Sequence, residues 1–386
     1  MSKALFQAIF TMVGFIVGAG ILGIPFALSK SGFWIGVIDI LLIGIIFLYR
    51  NLYLGEIILR TKGDHQLTGY AEIYLGKIGK WLMSFALLFG LTGAIVAYIV
   101  KGGQFLNILL QPSFGGSPFI YSLIFFFVLS YIVKRGLKLM KELVLVLVGL
   151  VLILTVVFLI FGHSSVNPAN LSTIDIEQLF LPFGVIMFAL LGTAAIPEMK
   201  IELKNQKNLL KTAIIWGSLI PIVVYIIFAY VVLGISGSNV SDGAIIGLKD
   251  ALGYPFLVLG IIFGLLTIST SFISIGIALK ETFMFDYKMK ERISYICACY
   301  IPLALAFVIF FSNISHAFFK ILDITGIISG GIVGFLVVPM IWKAKAKGKR
   351  KPEYTIKDNK LIELAIIIVS GTGMLFELLR ILGIFG

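Results

Sequence analysis

The sequence predicts an all-α polytopic membrane protein: two inverted repeats of five spans, with spans 1 and 6 broken, and an eleventh span appended. Composition gives the class. Hydrophobic residues make up 59% of the chain and charged residues 13%, a balance that belongs to membrane proteins. Periodicity gives the spans, because apolar runs of about 20 residues recur along the whole chain. The breaks give the repeat: small-residue interruptions fall at corresponding places in two halves of opposite topology, a transporter pattern.

The spans read as 4–29, 33–59, 81–110, 117–134, 140–162, 179–200, 210–235, 254–280, 293–312, 316–342 and 361–384. Repeat one covers about 4–162, repeat two about 179–342 and the extra span about 361–384, all in one transmembrane domain. Span 1 holds Gly14 and the run Gly18-Ala19-Gly20-Ile21-Leu22-Gly23-Ile24-Pro25. Glycine weakens a helix and proline has no N–H to continue it. Free backbone groups at membrane depth persist only when buried in protein or lining a polar cavity. The run therefore predicts a binding site of exposed amides and carbonyls, although Gly14 and Gly18 also form a small-xxx-small pair suited to packing. The first apolar segment is too long for a cleavable signal and lacks a small-residue processing site.

In span 2, Arg50 and Glu56 lie six residues apart and need not pair. Lys101 is expected to snorkel outward from span 3. The polar loop 163–177 separates the repeats, and span 6 opens with Leu179-Phe180-Leu181-Pro182. At mid-depth it carries Ala189, Gly192, Thr193, Ala194 and Ala195, the counterpart of the span 1 break. Span 8 contains the hydroxyl cluster Thr267-Ile268-Ser269-Thr270-Ser271, and such hydroxyls commonly bond to their own helix or a neighbour. Cys297 and Cys299 in span 9 have no metal-ligand or disulfide context and read as packing residues. In span 10, Asp323 falls in the outer half, where it could gate the site or carry a proton. Glu198, closing span 6, reads as a gating residue.

With the N-terminus inside, 25 of the 31 basic residues fall on inner segments, and only Lys30, Lys249 and Arg380 fall on the outer ones. That asymmetry is the positive-inside pattern and predicts an outside C-terminus in a cell membrane. The charge of +12 therefore reports topology, not nucleic-acid binding. The run Lys343–Lys351 reads as a topology anchor touching lipid headgroups.

The run Gly18–Pro25, the segment Phe188-Ala189-Leu190-Leu191-Gly192 and Ile196-Pro197-Glu198 resemble the amino acid–polyamine–organocation superfamily, with its leucine-transporter-type inverted repeat. Tyr98-Ile99 with Gly102-Gly103 is a weaker match. The likeness extends to the amino acid/auxin permease and aromatic amino acid permease branches and covers the ten repeat spans. It implies a secondary active transporter importing neutral amino acids by ion-coupled alternating access.

The amides near Gly18, Ala19, Gly20 and Ile21 open a half-helix whose positive end would hold a substrate carboxylate. Carbonyls at Phe15, Ile16, Phe188, Ala189 and Leu191, beside Gly192, would accept from its ammonium group. Leu91, Thr92, Tyr98, Phe188 and Leu191 would line the side-chain pocket. No carboxylate falls at the breaks, which favours a neutral substrate over a cationic one.

Similarity to sodium-coupled relatives would place Thr270 and Ser271 around one sodium ion, with the carbonyls of Gly14, Val17 and Thr267. Gly149 stands where some proton-coupled relatives carry a lysine, and Gly14 where sodium-coupled relatives often carry asparagine. Sodium is modestly favoured over protons; no other cofactor, no nucleic acid and no obligate protein partner is expected. Competing readings are a carrier of another organic solute or cation, or an amino acid receptor that does not transport. An enzyme is not expected, since His65, His163 and His316 form no catalytic pattern.

Overall fold

Glycine and proline punctuate the apolar runs, and the helices start and stop accordingly. The computed structural model describes residues 2–381 apart from 242, 246, 313 and 315. The side chains of Lys138, Lys141 and Arg380, and residues 382–384 of the expected last span, lie outside the described residues.

Span 1 is two helices, α1 (Lys3–Ile16) and α2 (Gly20–Ser31), bent by 49°. Val17 leaves helical geometry at φ −80, ψ 79, and the Gly18 N–H reaches only Ile16 O, at 2.9 Å. Span 6 is likewise two pieces, α7 (Leu181–Ala189) and α8 (Ala195–Glu202). Short turns bridge its gap, with Leu191 N donating to Phe188 O at 3.1 Å and Ala195 N to Gly192 O at 3.1 Å.

The remaining spans of repeat one are α3 (Phe33–Arg60), α4 (Leu67–Phe114), α5 (Pro118–Arg135) and α6 (Leu137–Gly162). Repeat two continues with α9 (Leu210–Ser236), the short α10 (Leu248–Leu252), α11 (Tyr254–Glu281), α12 (Glu291–Phe311) and α13 (Ala317–Lys347). Helix α14 (Lys360–Ile381) follows. Among the described residues, eight single helices and the bent α1–α2 pair are long and apolar enough to cross a membrane. The halves of span 6 are each too short to be found that way.

Helix α4 begins earlier than the expected span. Its first residues form a separate arm ahead of Gly76, which takes φ 73. The arm has its N-terminal N–H groups capped from afar: Asp286 accepts from Gln66 N at 3.1 Å and Gly69 N at 2.8 Å. A carboxylate at a helix N-terminus satisfies orphan donors and the helix dipole together.

The breaks sit at the centre of one hydrophobic core. Spans 1 and 6 pack against α9 on one side, and α13 packs against both α4 and α7 on the other. At Gly326 of α13 a Cβ would come 2.6 Å from the Phe188 N, so backbone meets backbone there. Lys101 does not snorkel. It is buried, with its ammonium over the Phe318 ring at 4.9 Å. Arg50 is also buried, its guanidinium 3.5 Å from the Phe47 ring centre.

Ser2 donates to Gln206 at 2.6 Å and Arg350 to Leu59 O at 2.8 Å, so the chain start and the 348–359 loop share one face, here the N-terminal face. That loop straps onto α3. Tyr354 donates to Leu52 O at 2.7 Å, Ile356 N donates to Glu56 at 2.7 Å, and Lys345 of α13 holds Ile356 O at 2.7 Å. The basic segment is thus a docked structural element, not only a charge anchor.

Candidate functional site

The two breaks meet each other before they meet anything else. At Gly20 a Cβ would lie 2.5 Å from the Ala189 Cα, so the start of α2 rests on the span 6 backbone. Gly20 is a close-packing position here, the alternative that small residues in membrane helices always carry. Gly192 is similar: its Cβ would meet Ile16 Cδ1 at 2.6 Å.

The carbonyls freed at these breaks already have a shared donor. Tyr225 of α9 is fully buried and places its hydroxyl 2.5 Å from Ile16 O and 2.8 Å from Ala189 O. Both carbonyls were expected to face a substrate ammonium. A phenol has one proton, so it donates to one carbonyl at a time and leaves the other with accepting capacity. Tyr225 escaped sequence reasoning, yet it carried a signal: a hydroxyl at mid-depth in an apolar span, which needs a partner when buried.

On the other side of the breaks lies a cavity of about 40 Å³. Six expected residues line it: Phe15, Ile16, Leu91, Tyr98, Phe188 and Leu191. Thr193, Ala194, Ile275, Ser329 and Val333 join them, and no charged side chain does. The volume holds a few water-sized molecules, not an amino acid. Gly18, Ala19, Ile21 and Ala189 are buried behind the lining. Thr92 does not belong to this cavity. It lines an apolar surface groove with Leu305, Val308 and Ile309, because it is rotated about 100° around α4 from Leu91.

Around Gly18, three elements converge. A Cβ there would lie 2.5 Å from Ser271 Oγ and 2.8 Å from Tyr98 Oη. Ser271 donates to Gly14 O at 2.8 Å, joining α11 to span 1. The rest of the expected sodium cage is not assembled by side chains. Thr270 donates back to Leu266 O at 2.7 Å and Thr267 to Gly264 O at 2.9 Å, the self-bonding habit of helical threonine. Val17 is buried at the break itself. Gly149 points into open space, and Val144 and Val148 face Gly14 from α6 instead. The α6 residues that face Gly14 are therefore valines, and Gly149, the position taken from the resemblance, is not among them.

Glu198 and Asp323 have distinct surroundings. Gln66 donates to Glu198 at 3.1 Å and to Glu281 at 3.1 Å, tying α8, the α4 arm and the end of α11 on the N-terminal face. Lys200 adds contacts to Asp64 at 3.0 Å and Gly63 O at 2.6 Å. Thr11 donates to Glu202 at 3.0 Å, joining α1 to α8. Burial pushes the Tyr70 phenol above its ordinary range, keeping it a neutral partner for Lys200 at 3.3 Å. Asp323 is buried at 2% exposure and packed onto Gly184 of α7. It sits in a helix interface, not in an open outer vestibule. Among the described residues, no group of three or more acidic, histidine or cysteine side chains could hold a metal ion.

Known proteins share this architecture. The structure of MhsT in complex with L-phenylalanine superposes with a TM-score of 0.69, covering 98% of both chains at 15% identity, a likeness of fold. Tyrosine-specific transport system 1 of Haemophilus influenzae is 26% identical over 383 residues, 93% of this chain and 92% of its own length. Glutamine transporter 2 of Aliivibrio fischeri is 23% identical over 94% of this chain and 96% of its own. The family model for tryptophan/tyrosine permeases matches residues 1–377. With two broken spans meeting at a buried cavity and a family match over nearly the whole sequence, this chain belongs to the tryptophan/tyrosine permease family.

Proposed function

We propose that the protein imports a neutral amino acid with a large apolar or aromatic side chain across the cell membrane, N-terminal face inward, by ion-coupled alternating access. The observation that carries this reading is the cavity wall: Phe15, Leu91, Phe188 and Leu191 meet at the breaks with no charged side chain. A zwitterion suits the backbone there. The amides at the start of α2 favour its carboxylate, and its ammonium shares the Ile16 and Ala189 carbonyls with Tyr225. A cationic side chain would have no partner and would pay the cost of burial. Relatives named for tyrosine, tryptophan and glutamine transport are in keeping with an uncharged side chain.

The cavity is too small for such a substrate, so loading moves α4 and α13 away from the breaks. The ion is sodium, held by Gly14, Val17 and Thr267 carbonyls with Ser271 and Thr270. Binding it requires both hydroxyls to turn from the carbonyls they now face. Uptake into proteoliposomes of labelled tyrosine, tryptophan, phenylalanine, leucine, glutamine and lysine, with sodium and proton gradients imposed separately, tests the reading. Aromatic uptake driven by sodium is the expected result. Preference for lysine would overturn the pocket assignment, and uptake driven by protons alone would overturn the ion.

A further inference from the structure

A second cavity opens on the N-terminal face, away from the breaks, where α5, α11 and α12 end or begin. It holds about 720 Å³ and is lined by Lys134, Lys280 and Arg292 against a single carboxylate, Glu291. Lys134 closes α5, Lys280 closes α11, and Glu291 and Arg292 start α12. The three cations thus come from three different helix ends. Lys280 is only 4% exposed, and its ion pair, to Glu291 at 3.2 Å, relies on a carboxylate whose side chain is 67% exposed. A buried ammonium balanced by a solvent-washed carboxylate leaves net positive charge in the crevice.

The crevice also has an apolar side. Ile296 and Tyr300 line it and stand 45% and 39% exposed, and Ile293 and Ile301 continue the same exposed surface of α12. A basic mouth running into an apolar track has the shape of an amphiphile. Basic pockets between membrane helices at headgroup depth recognise anionic lipids. We propose that this crevice binds the phosphate headgroup of an anionic phospholipid, with an acyl chain along α12. The track selects a lipid over a free anion, which would use the mouth alone. Occupancy also reaches the N-terminal-face network, because Lys280 precedes Glu281, the acceptor for Gln66. A headgroup phosphate competing with Glu291 for Lys280 would steady the end of α11 that carries this contact.

The test needs no transport substrate, so it stands apart from the proposed function. Parent protein and a Lys134→Gln/Arg292→Gln variant are reconstituted in phosphatidylcholine vesicles with or without phosphatidylglycerol. Lipid retained after gentle detergent release is counted by native mass spectrometry. Both residues are exposed, so the fold tolerates the exchange, and thermal unfolding of the variant verifies it. The parent should retain phosphatidylglycerol over phosphatidylcholine, and the variant should lose about fivefold in retention per cation removed. A Lys347→Gln/Lys349→Gln variant in the exposed basic segment should behave as the parent. Equal retention by parent and crevice variant would overturn the site. Displacement of the lipid by inorganic phosphate would overturn the lipid in favour of a free anion.

Discussion

The breaks in spans 1 and 6 are structural counterparts, yet they are stabilised in different ways. The span 1 break is narrow: Gly18 is pressed between the hydroxyls of Ser271 and Tyr98, and Gly20 rests on Ala189. The span 6 break is wider, covering residues 190–194, and turns Leu191, Thr193 and Ala194 toward the cavity. Tyr225 bridges the two through one carbonyl of each. Pseudo-symmetric elements thus divide their work: one break is the polar joint against α11, and the other shapes the cavity.

The sharpest way to break this comparison is to add one methyl group to each side. Gly20→Ala sets a Cβ 2.5 Å from backbone at Ala189, whereas Gly192→Ala meets side chains only, Ile16 Cδ1 and Cγ1 at 2.6 Å and Met12 Cε at 3.3 Å. Overpacking costs about 1–3 kcal/mol, and we expect Gly20→Ala to fall at the upper end with loss of uptake. Gly192→Ala should keep most of both. Equal thermal shifts for the two variants would erase the distinction.

Tyr225→Phe removes the one proton that the Ile16 and Ala189 carbonyls share and leaves neither with that donor, a loss of about 1–3 kcal/mol. Uptake affinity should change more than in a Tyr230→Phe control, whose hydroxyl faces His163 at the start of the loop between the repeats. An unchanged substrate affinity, measured by scintillation proximity, would remove Tyr225 from the site.

A smaller effect separates neighbours on α11. Ser271→Ala loses the bond to Gly14 O together with a proposed sodium ligand, while Thr270→Val loses a proposed ligand that now bonds only within its own helix, so both should weaken sodium dependence of uptake, Ser271→Ala more. If Thr270→Val leaves that dependence at the parent value, the threonine is not a sodium ligand. Any sodium gain in substrate affinity must be mirrored by a substrate gain in sodium affinity. The smallest effect belongs to Thr92→Val, which faces the surface groove. Its uptake should match the parent in a direct comparison.

The fold was largely legible because its signals are additive along the chain: apolar length fixes spans, and glycine with proline fixes breaks. Facing was less legible. Leu91 and Thr92 are adjacent in sequence, but one step around a helix turns a side chain by about 100°, and only Leu91 reaches the cavity. Thr270 and Ser271 differ for a rotameric reason. The β-branched threonine lodges its methyl toward Gly14 and its hydroxyl on Leu266 O, whereas serine has no methyl and turns to span 1. Tyr225 signalled only that its hydroxyl needs a partner; no spacing within α9 reveals that two distant breaks converge on it. The arm before Gly76 was missed because its cap, Asp286, lies more than two hundred residues away.

The strap formed by residues 350–356 has a mechanical consequence. It rivets α3 to α13 at the N-terminal face through Tyr354, Ile356 and Lys345, each bond worth about 0.5–1.5 kcal/mol net. These two helices are therefore held there as one unit. Helix α1 is fastened instead to α8, through Thr11 with Glu202, and the residue capping α1 to the segment after α8, through Ser2 with Gln206. An opening of this face that kept these bonds would carry α1 and α8 together and would have to break the Gln66 and Lys200 contacts.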